Sequence, residues 1–264
     1  MKTKIIIAAL LATVATLGSA SAADLSRPMY TKAPPPPPLY NWTGFYVGVN
    51  VGGSWGHQDV TGSGSNILGS FITTNSTHID GVIGGGQIGY NWQGMGSPWV
   101  FGLEADIQGS GQKGDGALSA PGGIIVINLA PNIIVPPSSL TYEDKLDWFG
   151  TVRGRIGYAV GDQGRWLPYI TGGLAYGESK LNGNASLGGA NTLTSVAFSQ
   201  SKTDVGWTVG AGIEWAFWDK WSAKLEYLYM DLGDSSTIAL TPAATLTTGR
   251  MTDNIVRVGA NLHF

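Results

Sequence analysis

From Asn41 to Phe264, apolar and polar residues alternate with period two in eight separate stretches. In an extended strand successive side chains point to opposite faces. Each stretch therefore predicts a strand with one apolar and one polar face. The last is the clearest: Val256, Val258, Ala260, Leu262 and Phe264 alternate with Arg257, Gly259, Asn261 and His263. The first sets Phe45, Val47, Val49 and Val51 against Tyr46, Gly48, Asn50 and Gly52. The second has Val82, Ile88, Tyr90 and Trp92 outward, with Gly85, Gln87, Gly89 and Asn91 inward. The third sets Trp99, Phe101, Leu103, Ala105 and Ile107 against Gly102, Glu104, Asp106 and Gln108. The fourth has Leu146, Trp148, Val152, Ile156 and Tyr158 outward, against Asp147, Thr151, Arg153 and Arg155. The fifth has Trp166, Ile170, Leu174 and Tyr176 outward, with Tyr169, Thr171 and Gly173 inward. The sixth runs outward through Val205, Trp207, Val209, Ala211, Ile213 and Trp215, and inward through Thr208, Gly210, Gly212 and Glu214. The seventh sets Trp221, Ala223, Leu225, Tyr227 and Tyr229 against Ser222, Lys224 and Glu226. Each stretch is close to the roughly 9–11 residues that a tilted membrane-spanning strand needs.

The connections alternate in length. Short ones join the second and third stretches (Gln93–Ser97), the fourth and fifth (Gly161–Gly164) and the sixth and seventh (Trp218–Lys220). Long ones are expected at Gly56–Thr77, Gly109–Thr141, Gly177–Lys202 and Gly233–Met251. Aromatics gather where the short turns begin and end: Trp92, Trp99, Tyr158, Trp166, Trp215, Trp218, Trp221 and then Phe264. This pattern predicts an all-β fold: an eight-stranded antiparallel transmembrane β-barrel with four long extracellular loops and three short periplasmic turns. In a barrel the last strand closes on the first, so that no edge meets lipid. Within the second long loop, the β-branched runs Ile124–Ile127 and Ile133–Val135 flank Ala130-Pro131-Asn132, which suits a hairpin extension.

Ahead of the barrel, at 42–264, two segments are read. Residues 1–22 have the form of a signal peptide: Lys2 and Lys4, an uncharged apolar run Ile5–Leu17, and the small-residue site Ala20-Ser21-Ala22. Residues 23–41 form a Pro-rich periplasmic segment in which Pro34–Pro38 is unbroken, favouring a stiff polyproline II tether. Cleavage after Ala22 would remove two of 15 basic residues and none of 18 acidic ones, so the balance stays acidic. An acidic balance gives no support to nucleic-acid binding. Only 12% of residues are charged, about half the usual share of a soluble domain. Cysteine is absent, which excludes disulfides and thiolate chemistry.

The inward charges carry most of the functional interest. They are Glu104, Asp106, Arg153, Arg155, Glu214, Lys224, Glu226 and Arg257, four acids and four bases. Eight strands leave an interior just wide enough for its own side chains. A balanced set of charges there should pair into a network that holds register and blocks flow; an ion path or proton relay is the alternative.

Three tracts carry a resemblance: Trp42-Thr43-Gly44-Phe45-Tyr46-Val47-Gly48, Leu167-Pro168-Tyr169-Ile170-Thr171-Gly172-Gly173-Leu174-Ala175-Tyr176-Gly177, and Val256 to Phe264. Together they resemble the RopB-like small outer-membrane proteins of rhizobial-type alphaproteobacteria, whose barrel is related to that of OmpA. The resemblance implies an abundant outer-membrane protein with antigenic surface loops. It implies contact with outer-membrane lipid and lipopolysaccharide, assembly by the barrel-assembly machinery, and host or surface partners reached through the loops. In this setting Val256, Val258, Ala260, Leu262 and Phe264 form the C-terminal assembly signature. Some relatives are called porins and some bind haemin. A structural, envelope-supporting role leads, with a small-solute porin and a haemin-binding surface protein as alternatives. His57 and His78, at the two ends of the first long loop, are the weak haemin candidates.

No cofactor, metal site or enzymatic activity is expected. Gly52-Gly53-Ser54-Trp55-Gly56 matches nucleophile-elbow spacing without a following helix. The G-x-G-x-x-G matches at Gly84–Gly89 and Gly109–Gly114 open no helix either.

Overall fold

The computed structural model describes residues 39–66, 69–125, 131–161, 163–233 and 236–264. The expected signal peptide, and all of the Pro-rich segment before Leu39, lie outside the described residues. The strands are β1 (Gly44–Asn66), β2 (Gly69–Gln93), β3 (Trp99–Ala120), β4 (Gly123–Ile125), β5 (Ile133–Val135), β6 (Ser138–Tyr158), β7 (Trp166–Gly189), β8 (Thr192–Ala216), β9 (Trp221–Leu232), β10 (Ser236–Thr241) and β11 (Ala244–His263). Eight of them form a ring in the order β1-β2-β3-β6-β7-β8-β9-β11, which closes because β1 also pairs with β11. The closing ladder is antiparallel and runs from Tyr46 opposite His263 to Gly64 opposite Ala244. Beyond it, the Phe264 N–H donates to the Phe45 carbonyl at 2.9 Å. Closure satisfies the backbone of both terminal strands and removes the edge that lipid could not tolerate.

Strand alternation sorts the wall as the sequence pattern predicts. Val49, Ile88, Leu103, Ile170 and Val258 are exposed on the outer face, while Asn50, Gln87, Glu104, Thr171 and Arg257 are buried inside. At the short-turn end, Trp99 meets Tyr158 edge-on at 5.1 Å and Trp166 stacks on Trp215 at 5.3 Å. A second band of aromatics, the outer aromatic ring, lies about ten residues along five of the eight wall strands, β1, β6, β7, β8 and β9. In it, Trp148 packs on Tyr176 and Trp207 on Tyr229, with Trp55 exposed beside them.

Three expectations need correction. The stretches expected as long loops are mostly strand. β1 and β2 stay paired out to Asn66 opposite Gly69, and β7 and β8 to Gly189 opposite Thr192. β2 and β8 are each 25 residues long, more than twice what a membrane crossing needs. Once the spanning strands have set the register, each further pair adds ladder hydrogen bonds without a new loop-closure cost. Leu146, expected outward, is fully buried inside, and Asp147, expected inward, is half-exposed on the wall. The cause is a bulge between Leu146 and Trp148, matched by a shift between Gly109 and Gln112 on β3, which reverses the facing of the residues beyond it. The apolar segment in the second connection does form a hairpin, β4 against β5, with Ile124 opposite Ile134.

The interior is layered. Trp42, Val100, Leu167 and Ala216 make an apolar floor at the short-turn end. The Trp42 indole N–H donates to the Gly164 carbonyl at 2.9 Å, fixing the ring across the opening. A charged layer follows. Beyond it, Ile79, Ile83, Leu146, Phe149, Leu228, Met230, Leu232, Met251 and Ile255 form an apolar layer. A separate apolar cluster, including Leu118, Leu140, Tyr142 and Leu246, fills the hairpin extensions.

Candidate functional site

The charged layer is built by strand period alone. Glu104 and Asp106 lie two residues apart on β3, Arg153 and Arg155 on β6, and Lys224 and Glu226 on β9, so each pair faces inward together. Register then brings the strands into match: Glu104 is opposite Arg153, Glu214 opposite Lys224, and Glu226 opposite Arg257. The structure places all eight charges in the lumen, none more than 4% exposed.

They form one connected network. Arg153 lies 2.9 Å from Asp106 and 3.0 Å from Glu226, and also pairs with Glu104. Arg257 lies 2.9 Å from Asp106 and 2.6 Å from Glu226. Lys224 donates to both oxygens of Glu104, at 2.9 and 3.0 Å. Arg155 pairs with Glu214 at 2.7 Å. Neutral groups complete the set. Tyr46 donates to Glu104 at 2.7 Å, Tyr169 to Glu226 at 2.9 Å and Thr151 to Asp106 at 2.8 Å. Asn261 donates to Glu214 at 2.7 Å, and His263 lies 3.4 Å from the same carboxylate. The Arg155 guanidinium sits between the rings of Tyr46 and Tyr169, 5.3 and 4.7 Å from their centroids. Four acids facing four bases, each hydrogen-bonded, is the arrangement in which burying charge is tolerable.

Glycine makes room for the two tyrosines. A Cβ at Gly89 would overlap the Tyr46 ring, and one at Gly212 would overlap the Tyr169 ring. Gly89→Val should therefore displace Tyr46 from Glu104 and lower stability by about 1–3 kcal/mol, the usual cost of overpacking. The urea midpoint of refolded protein in lipid vesicles measures this. An unchanged midpoint would mean that the ring moves aside freely.

The remaining predicted residues lie elsewhere. Val256, Val258 and Phe264 face outward and are exposed; Ala260 and Leu262 are half-exposed on the same face. His57 and His78 are not loop residues. They sit directly opposite one another on β1 and β2, both exposed on the outer face, two residues beyond Trp55 on β1.

The family model of the outer membrane protein beta-barrel domain matches residues 8–264. The chain belongs to this outer-membrane β-barrel family. Among its relatives is the 31 kDa outer-membrane immunogenic protein of Brucella melitensis, 34% identical, with the match covering 98% of this chain and 99% of the relative. Another is the 22 kDa outer membrane protein of Rhizobium leguminosarum, 32% identical over 86% of this chain and 85% of the relative. Similar solved structures include OprG from Pseudomonas aeruginosa, at 10% identity and a TM-score of 0.44, covering 86% of this chain and 100% of that one. Neisserial surface protein A is similar at 16% identity and a TM-score of 0.34, covering 84% and 98%.

For this outer-membrane barrel, sequence reasoning listing only formal charges missed Tyr46, Thr151, Tyr169, Asn261 and His263 as members of the network. Their signal was present: each stands at an inward position of its strand. Sequence reasoning also missed buried Asp144, Asp204 and Asp253, which lie just past the ends of three expected long loops, on strands that run on into the outer hairpins.

Proposed function

We propose that this protein is a non-catalytic, closed outer-membrane barrel that supports the envelope and presents its outer hairpins as an interaction surface. One observation carries the reading: the eight lumen charges pair with one another in a layer bounded by apolar side chains on both sides. Ions crossing such a lumen would have to break buried pairs and then enter layers lined mainly by apolar side chains, each step costing on the order of several kcal/mol. The word immunogenic in the name of the Brucella relative fits hairpins that stand clear of the membrane, here with Ile72, Ile124, Ile134 and Leu193 exposed. Planar-bilayer recording of refolded protein, with a heat-modifiable gel shift to verify folding, should give no discrete conductance steps. Salt-dependent steps from folded protein would overturn the closed-lumen reading in favour of a small-solute pore.

Haemin capture is a second reading, favoured by the opposed, exposed pair His57 and His78. It requires a haem absorption shift on titration with haemin that disappears in His57→Ala or His78→Ala. The same shift in both variants would end it.

A further inference from the structure

Above the outer aromatic ring, the hairpin extensions enclose a cavity of about 20 Å³ whose lining is rich in oxygen. Asp144, Asp204, Gln58, Ser179, Ser236 and Thr248 line it, from β6, β8, β1, β7, β10 and β11. We propose that this cavity is a binding site for a hard divalent cation of the calcium type, with Asp144, Asp204 and Gln58 as its core ligands.

Three observations point to a cation. Asp144 is only 2% exposed, and among the described residues no Lys or Arg lies within ion-pair distance of it. A buried carboxylate without a counter-charge is costly, so the Asp144 side of the pocket is short of positive charge, Lys202 being paired with Asp204. Gln58 is 6% exposed; its Nε2 donates to the Gly249 carbonyl at 3.3 Å, but its Oε1 has no partner. Gln58 lines the cavity, so this unpartnered oxygen is available to coordinate. Asp204 is 8% exposed and accepts from the Ser179 hydroxyl at 2.8 Å.

The donor set decides the class of ion. Every candidate ligand is an oxygen, from carboxylate, amide or hydroxyl, which is the preference of calcium and magnesium rather than of zinc or copper. The void is close to the size of one water molecule, so one ion fits and an organic cation does not. The ligands come from separate strands with no short, rigid loop, which suits the larger, geometrically tolerant calcium ion better than magnesium.

Lys202 is the competing charge. It too lines the cavity, with its ammonium 2.9 Å from Asp204, but the side chain is 32% exposed. Bound metal would displace it, so Lys202 should weaken binding. Once in place, the ion would tie β1, β6 and β8 together across the lumen.

The test is calorimetric titration of calcium chloride into the refolded full chain, stripped with chelator in a zwitterionic detergent. One saturable site is expected, with magnesium binding at least tenfold weaker. Asp144→Asn, close to isosteric, should weaken calcium at least tenfold in protein that still passes the heat-modifiable gel test. Lys202→Gln should tighten it several-fold. This second variant works in the opposite direction, so the outcome does not depend on the folding of the first. Absence of saturable heat at millimolar calcium, an Asp144→Asn affinity equal to the parent, or weaker binding by Lys202→Gln would each overturn the site. Magnesium binding as tight as calcium would overturn the assignment to calcium.

Discussion

Arg153→Ala should lower the unfolding free energy by about 3–5 kcal/mol, the usual cost of removing one partner from a buried ion pair. Arg153 is the hub of the lumen network, within ion-pair distance of Glu104, Asp106 and Glu226. Its removal leaves four carboxylates facing three cations in a layer that water scarcely reaches. Lys224 and Arg257 already contact the same acids and cannot serve as additional partners. The urea midpoint in lipid vesicles, followed by tryptophan fluorescence, reads the loss. Arg153→Ala combined with Glu104→Gln restores neutrality and should recover part of it. A single variant as stable as the parent would mean that water or side-chain rearrangement neutralises the network, and the closed-lumen proposal would lose its main support.

The second large effect is a pH dependence located at Asp253. This residue faces inward just beyond the outer aromatic ring, opposite Gly56 and Met230, and is 1% exposed. Burial pushes its carboxyl up to about 7, although a hydrogen bond from Gln112 at 2.8 Å acts the other way. In the unfolded chain the group titrates near 4. Between roughly pH 4 and 7 the unfolded chain releases its proton while the folded barrel keeps it. Stability contributed by this group is therefore highest at low pH and falls as pH rises to about 7, then stays low. The full difference corresponds to roughly 4 kcal/mol at most. Asp253→Asn keeps the shape and removes the titration. The variant should gain stability over the parent at pH 8.5 and differ little near pH 4. Parallel curves for parent and variant across this range would show that Asp253 is hydrated and ionises normally.

The barrel itself was legible because lipid makes a harsh demand on sequence. A spanning strand must present carbon on one face and hide every backbone group, so outward residues such as Val49, Leu103 and Val258 mark both strand and facing. The same alternation identified all eight lumen charges as inward. It did not say which acid meets which base, since that depends on strand register and on room made across the lumen, as at Gly89 for Tyr46.

Beyond the outer aromatic ring the constraint relaxes. Water satisfies the outer face, alternation weakens into glycine, serine and threonine, and a loop and an extended strand read alike. There the tertiary structure decided the outcome. Ladders already in register continue past the membrane, and a single bulge at Asp147 reverses the facing of Leu146. Asp144, Asp204 and Gln58, far apart in the chain, meet only because their strands extend side by side around one ring. Number of strands, their order around the wall and their apolar outer face were determined locally, by period two and turn length. Pairing within the lumen, its layering and the cavity above it are properties of closure, because only closure brings side chains from opposite walls together.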